Sequence, residues 1–188
     1  MSKRKRSGRN GGEARFTGSV PLPYGWASVV LSSGRIVSIE WEREKESIGR
    51  TVGKKFPGAE EIGAEKTLPG KILSAYSRGR ILTPREISSL PVSWEALPEF
   101  RRKVLRAAAE IPYGKTVTYG ELAVEVGRPG AARAVGAALS RNPWPILVPC
   151  HRVVGKGGKL VGFGKGLAAK EALLRFEERN VRRGDVAQ

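Results

Sequence analysis

With 188 residues, of which 40% are hydrophobic, the chain can fold as one large domain or two small ones around a real core. No apolar run approaches the roughly 20 residues that a membrane-spanning helix needs, and one Cys with one His exclude an internal disulfide and a Cys/His metal cluster of ordinary ligand number. The net charge of +16 stays large when the five basic residues of the first ten positions are set aside, so the body of the protein is expected to attract polyanions, nucleic acid first among them.

Residues 1–12 are basic, Gly-rich and poor in apolar side chains, which predicts a disordered tail. No apolar stretch follows the basic start, so it does not read as a secretory signal. Together with a single thiol this places the protein in a reducing cytoplasm, where no membrane partner is expected. One Met, one Cys, one Gln and three Asn stand against abundant Arg, Lys and Glu, a balance typical of proteins that work at high temperature.

Residues 13–91 are expected to form a small α/β domain. Residues 26–31 and 35–41 read as a hairpin, with Val37, Ile39 and Trp41 alternating and Ser33-Gly34 as the turn. Residues 42–63 are rich in Gly and charge and read as loop. Ile72, Leu73 and Tyr76 have helical spacing after Pro69 and predict a short helix ending at Gly79.

From residue 92 to residue 180 the pattern becomes mainly helical, and residues 181–188 read as a second tail. Residues 99–111 predict a helix with Phe100, Val104, Ala107 and Ala108 as its buried stripe and Arg101, Arg102 and Arg106 outward. Thr118 followed by Glu121 has capping-box spacing and opens a second helix through Val126. Residues 127–130 form a Gly/Pro turn, and a third helix runs over residues 131–140. Two short helices joined by a tight turn make a helix-turn-helix.

On the third helix Val135, Ala138 and Leu139 form an apolar face. The other face, with Arg133, Gly136, Ala137 and Ser140/Arg141, is nearly flat apart from its arginines. Gly136 costs roughly 1 kcal/mol against Ala in mid-helix. Either close helix–helix packing or close approach to another surface accounts for that flatness.

The sole thiol and sole imidazole are neighbours, Cys150 and His151, in a segment that Pro143, Pro145 and Pro149 are expected to hold extended. A thiol of ordinary pKa near 8.5 is only about 3% thiolate at neutral pH, so it needs a base to act as a nucleophile. Neighbours in extended chain point opposite ways. Contact between these two therefore requires a turn at Cys150 or a bridging water.

From Phe100 to Glu177 the chain resembles the O6-alkylguanine-DNA alkyltransferase family of single-use DNA repair proteins. The matching blocks are residues 117–123, 131–136, 142–143, 149–154 and 170–174, with Glu177 after them. The resemblance implies a ribonuclease H-like N-terminal α/β domain and a winged-helix-like C-terminal domain carrying the helix-turn-helix. Cys150 would accept the alkyl group, His151 would take its proton through a water, and Glu177 would hold the imidazole. Asn142 would brace the turn before the reactive segment. Tyr119 would press on a phosphate and meet the flipped guanine, and Arg133 would fill the space that the base leaves. Arg101, Gly120, Arg128 and Lys156 fall where the family touches the DNA backbone. Leu139, Val153 and the loop of residues 160–166, with Leu160, Phe163 and Gly164 foremost, would wall the pocket, with backbone groups of Cys150, Val153 and Gly164 reading the guanine edge. Phe163 stands where the family commonly has Tyr, and Lys165 stands at a rim where small residues are common.

The implied partner is double-stranded DNA containing alkylated guanine, with O4-alkylthymine as a further possible substrate, bound by a monomer without cofactor or metal; the zinc ligands of some members have no counterparts here. Three rival readings remain. Non-transferring alkylguanine-binding relatives replace the cysteine, which Cys150 argues against. A helix-turn-helix regulator calls for base-reading side chains where the third helix carries Ala and Gly. A cysteine hydrolase calls for an oxyanion hole that the sequence does not announce.

Overall fold

The computed structural model describes residues 14–186, so the expected tail at 1–12 lies outside them. The predicted hairpin sets the architecture. Strands β3 (Gly25–Ser32) and β4 (Arg35–Glu42) pair antiparallel from Trp26 opposite Glu42 to Ser32 opposite Arg35. Ser33 and Gly34 both take positive φ (49° and 73°), as a two-residue turn matched to strand twist requires. Two short strands, β1 (Ala14–Thr17) and β2 (Val20–Leu22), share the opposite edge of β3 end to end, and β1 pairs in parallel with β5 (Glu60–Ile62).

Alternation along the strands feeds two clusters. Phe16 and Val30 pack on one side against Ile48 and Val52 of helix α1 (Ser47–Lys55). Ala27, Val29, Ile39 and Trp41 belong to the main core, which helix α2 (Leu68–Ser77) closes with Ile72, Leu73 and Tyr76. The stretch expected to be loop thus contains both α1 and β5. Gly49 and Gly53 hid the helix, which is held by only two buried side chains four residues apart. Helix α3 (Pro84–Ser88) was also unforeseen, although Thr83 and Glu86 form a capping box around it.

Residues 91–93 then run along the outer edge of β4. Ile36 N–H donates to Pro91 O (2.8 Å), and Ser93 N–H donates to Ile36 O (3.3 Å). Three helices follow: α4 (Glu99–Ala109), α5 (Tyr119–Glu125) and α6 (Ala132–Leu139). The buried stripe of α4 is Val104, Leu105, Ala108 and Ala109, one position round from the expected one, with Phe100 and Ala107 only partly covered. The capping box at Thr118 and Glu121 forms as read from the sequence, and the buried face of α6 is Val135, Ala138 and Leu139.

A two-stranded parallel pair, β6 (Val117–Thr118) with β7 (Val153–Val154), ties the start of α5 to the chain just after Cys150. The last helix, α7 (Leu167–Val186), buries Ala169, Lys170, Leu173 and Glu177 at helical spacing. It passes the expected domain end at residue 180, so residues 181–186 continue a helix and are not a separate tail. Among the described residues no helix is long and apolar enough to cross a membrane.

Candidate active site

The segment carrying the thiol is tightly folded, which corrects the expectation of extended chain. Trp144 O accepts from Val148 N–H (2.8 Å), and between them buried Ile146 sits at φ 75°, a conformation that costs a β-branched residue about 1–3 kcal/mol. Asn142 holds the fold from its side chain. Its amide Nδ2 donates to Val148 O (2.8 Å) and to Cys150 Sγ (3.3 Å), while its Oδ1 accepts from Trp144 N–H (3.0 Å). Cys150 to Arg152 then form a 3₁₀ turn, so the required bend occurs at the cysteine itself. The sheet supports the segment from behind, where Ile39 N–H of β4 donates to Pro143 O (2.7 Å).

His151 is fully buried, and its Nε2 lies 2.8 Å from Glu177 Oε1. Glu177 also receives Tyr76 OH (3.0 Å), Gly114 N–H (3.0 Å) and the Arg152 guanidinium through Nε (2.9 Å) and Nη2 (3.0 Å). Burial alone would push this carboxyl up, but the His151 and Arg152 interactions outweigh it and hold Glu177 far below the usual carboxylate range. Glu177 is therefore an acceptor only, and His151 must carry its proton on Nε2. Burial, opposed by Glu177, lowers the His151 pKa, so the ring is neutral at neutral pH. Its Nδ1 is left as a buried lone pair without a hydrogen-bond partner among the described residues. That is a base waiting for a proton.

The thiol is nearly buried, at 8% exposure. Burial raises its pKa, while the Asn142 hydrogen bond and the Lys170 charge pull it back. Lys170 is buried with no carboxylate beside it among the described residues. Its Nζ donates to Val153 O (2.6 Å) and Val161 O (2.8 Å), which ties β7 to the loop before α7.

Cys150 lies in the wall of a cavity of about 530 Å³, between α6 and the loop of residues 161–164. Tyr119, Arg133, Leu139, Phe163 and Gly164 border it as expected from the sequence, and so do Gly136, Ser140, Val161 and Gly162. Tyr119 OH donates to Val161 O and Gly162 O (3.1 Å each), pinning the loop across the opening. Phe163 leans edge-on against Trp41 of β4, with centroids 6.0 Å apart. A smaller cavity of about 320 Å³ also reaches Cys150, with Glu40 and Trp41 of β4 in its wall.

Not every expected residue joins this site. Leu160 is not part of the lining, although Val161 and Gly162 of the same expected loop are. Val153 is wholly buried in β7, with its carbonyl engaged by Lys170. Gly120, Arg128 and Lys156 are exposed outside the cavity, and half-buried Arg101 borders a different one. A methyl added at Gly136 would meet the Tyr119 ring at 3.6 Å, an ordinary contact, so helix packing does not demand glycine there.

Three contributors escaped the sequence reading. Arg152 directly follows the Cys-His pair, and Lys170 stood in a matching block without a role, so both had signals. Tyr76 reaches Glu177 across 101 residues and had none.

Residues 99–179 match the family model described as 6-O-methylguanine DNA methyltransferase, DNA binding domain. The methylated-DNA–protein-cysteine methyltransferase of Methanosarcina barkeri is 48% identical over 110 residues, 58% of this chain and 66% of that protein. The Mycolicibacterium paratuberculosis protein of the same name is 57% identical over 82 residues, 44% of this chain and 50% of that one. The Salmonella typhimurium protein of that name is 40% identical over 148 residues, 76% of this chain and 83% of that one. The chain thus matches between half and about four fifths of the length of these relatives. Among solved structures, Mycobacterium tuberculosis OGT in complex with DNA is similar at 30% identity and TM-score 0.70, over 88% of this chain and 94% of that one. The O6-methylguanine-DNA methyltransferase of Pyrococcus kodakaraensis is similar at 27% identity and TM-score 0.66, over 86% and 98%.

Proposed function

The chain belongs to the methylated-DNA–protein-cysteine methyltransferase family, and from that premise we propose that it repairs O6-alkylguanine in duplex DNA by moving the alkyl group onto Cys150, once per molecule. The observation that carries the reading is a lone thiol in the wall of a base-sized cavity, bonded by Asn142 and next in the chain to a neutral, Glu177-held histidine with a free Nδ1.

In this mechanism the Cys150 proton passes through a water to His151 Nδ1, and Glu177 stabilises the imidazolium that results. The thiolate attacks the alkyl carbon from the side opposite O6. An S–C bond forms, the C–O6 bond breaks, and its electron pair leaves with guanine, which is then protonated. Asn142 and Lys170 favour the anionic sulfur. The product is a thioether without a good leaving group, so no second turnover follows.

Reaching the thiol requires the base to leave the stack. Arg133 would occupy the vacated space and Tyr119 would press on the neighbouring phosphate. The small residues of α6 would lie in the minor groove, and Arg101, Gly120, Arg128 and Lys156 would serve the backbone. Backbone groups of Cys150 and Gly164, with Val153 nearby, would read the guanine edge beside Leu139 and Phe163. We read residues 13–91 as a ribonuclease H-like unit, residues 92–180 as a winged-helix-like one, and the protein as a cytoplasmic monomer of high thermal stability.

The test is intact-protein mass after incubation with duplex carrying one O6-methylguanine. One added methylene-equivalent on Cys150, stoichiometric and absent in Cys150→Ala, is expected. Unchanged mass with tight lesion binding would replace the transferase by a damage-binding protein.

A further inference from the structure

Two cavities meet at Cys150, and Leu139, Ser140, Phe163 and Gly164 border both. The smaller, of about 320 Å³, curls round the outer edge of β4. Ile39 and Trp41 come to it from the core face of the sheet, Ser38 and Glu40 from the face that α1 covers. Beside Cys150 its wall is mainly apolar, with Leu139, Pro145 and Phe163; towards α1 it is polar, with Ser38, Glu40 and Lys55.

Glu40 is the unusual member, a carboxylate only 3% exposed on a strand beside the thiol cavity. Ser38 Oγ donates to its Oε1 (2.6 Å) and Lys55 Nζ to its Oε2 (2.6 Å). A carboxylate accepts about four hydrogen bonds, so Glu40 keeps acceptor capacity. Lys165 borders the same space, with its Nζ 3.9 Å from Glu42 Oε1, beyond hydrogen-bond reach.

In-line displacement dictates where an alkyl group longer than methyl must go. Sulfur, the reacting carbon and O6 share one line, and the other substituents of that carbon spread across it. A longer chain therefore leaves sideways, level with the thiol. With guanine in the larger cavity, the smaller one offers a second space that Cys150 borders. We infer that this smaller cavity receives the alkyl arm and that Glu40 and Lys165 favour an arm ending in a hydroxyl, an inference that rests on the alkyl-transfer reading. The charges decide the terminus. An anionic end would face Glu40, and a cationic end would face Lys55 and Lys165. A hydroxyl can donate to the carboxylate and accept from a lysine, whereas a methyl end does neither.

The test measures transfer rates by intact-protein mass on duplexes that each carry one O6-alkylguanine, in matched pairs: 2-hydroxyethyl with n-propyl, 3-hydroxypropyl with n-butyl, 4-hydroxybutyl with n-pentyl. The members of a pair are equal in length, so their rate ratio reports the terminal group. Comparing that ratio between proteins cancels the intrinsic reactivity of each arm. At the length that reaches Glu40, the hydroxyl-to-methyl ratio is expected to be about tenfold higher in the native protein than in Glu40→Met. Lys165→Met should lower it by a smaller factor. Glu40→Gln keeps an acceptor and should retain part of the preference, which separates a lost bond from a disturbed fold. Methyl transfer from O6-methylguanine combined with a ratio that Glu40→Met leaves unchanged at every length would overturn the site alone. So would methyl transfer with no transfer of any longer arm. Absence of methyl transfer would overturn the proposed function and this site with it.

Discussion

Two buried cations stand near Cys150, and they are held in different ways. Arg152 is locked to Glu177 by two hydrogen bonds, with its remaining Nη1 on Ile111 O (2.6 Å). Lys170 has carbonyls and the Tyr119 ring face (5.5 Å to its centroid) for partners, with no carboxylate among the described residues. The first cation is neutralised in place and serves geometry, fixing the carboxylate that fixes the histidine. The second meets only neutral groups among the described residues and is stabilised most when the sulfur becomes an anion. Burial lowers the Lys170 pKa and the Cys150 charge works against that shift, the reciprocal of the help Lys170 gives the thiolate.

The harshest way to break the comparison is Glu177→Gln. It strands the buried Arg152 guanidinium, and about 3–5 kcal/mol of stability should be lost, read by urea denaturation. Transfer should also slow severely, because His151 loses the group that sets its tautomer. If stability were unchanged, the pair would not be the structural anchor described here.

Lys170→Met sharpens the other side. Losing a charge-assisted bond to each of two carbonyls should cost about 1.5–3 kcal/mol. The thiol pKa should rise, so the rate deficit should shrink as pH increases. A deficit independent of pH, measured with a small thiol reagent, would reduce Lys170 to a loop tie.

Acid titration probes the histidine between them. The folded pKa of His151 lies below its unfolded value near 6.5, so the unfolded state takes up the proton first. Its contribution to stability is complete above about pH 6.5 and is lost as pH falls below that value. Glu177, also depressed, adds a second loss below about pH 4.3. Denaturant midpoints from pH 8 down to pH 4 should decline in that order. A midpoint that rose on acidification would reverse the sign assigned to the buried ring.

The smallest effect is expected from Tyr76→Phe. Burial and the nearby Glu177 carboxylate keep this phenol protonated and donating. Removing the hydroxyl should cost about 1 kcal/mol and leave the transfer rate near normal, because Glu177 keeps four other donors.

Much of the helical half could be read from the chain because its signals are local. The Thr118–Glu121 cap, the Val135/Ala138/Leu139 stripe and the Cys-His pair each lie within a few residues. What escaped depends on distance or on strain. Helix α1 is specified by a sheet face that exists only after β1 and β3 have paired, and its glycines argue against it locally. The reactive segment looked extended because prolines favour extended neighbours, whereas Asn142 imposes a turn strong enough to hold Ile146 at positive φ. Of the loop expected to wall the pocket, residues 161–164 do so and Leu160 does not; Tyr119 and Lys170 hold that loop through its carbonyls, which no side-chain pattern announces.

The outer edge of β4 has a consequence for how the chain can be divided. Its backbone groups are occupied by residues 91–93 and by Pro143, all supplied from later in the sequence. A fragment ending near residue 90 would leave that strand bare, with Ile36, Ile39 and Trp41 stripped of their cover. An open apolar strand of this kind recruits other strands, so such a fragment is expected to self-associate. The helical half thus acts as a chaperone in cis for the sheet, and separate expression of the first half should yield aggregates that added C-terminal half suppresses.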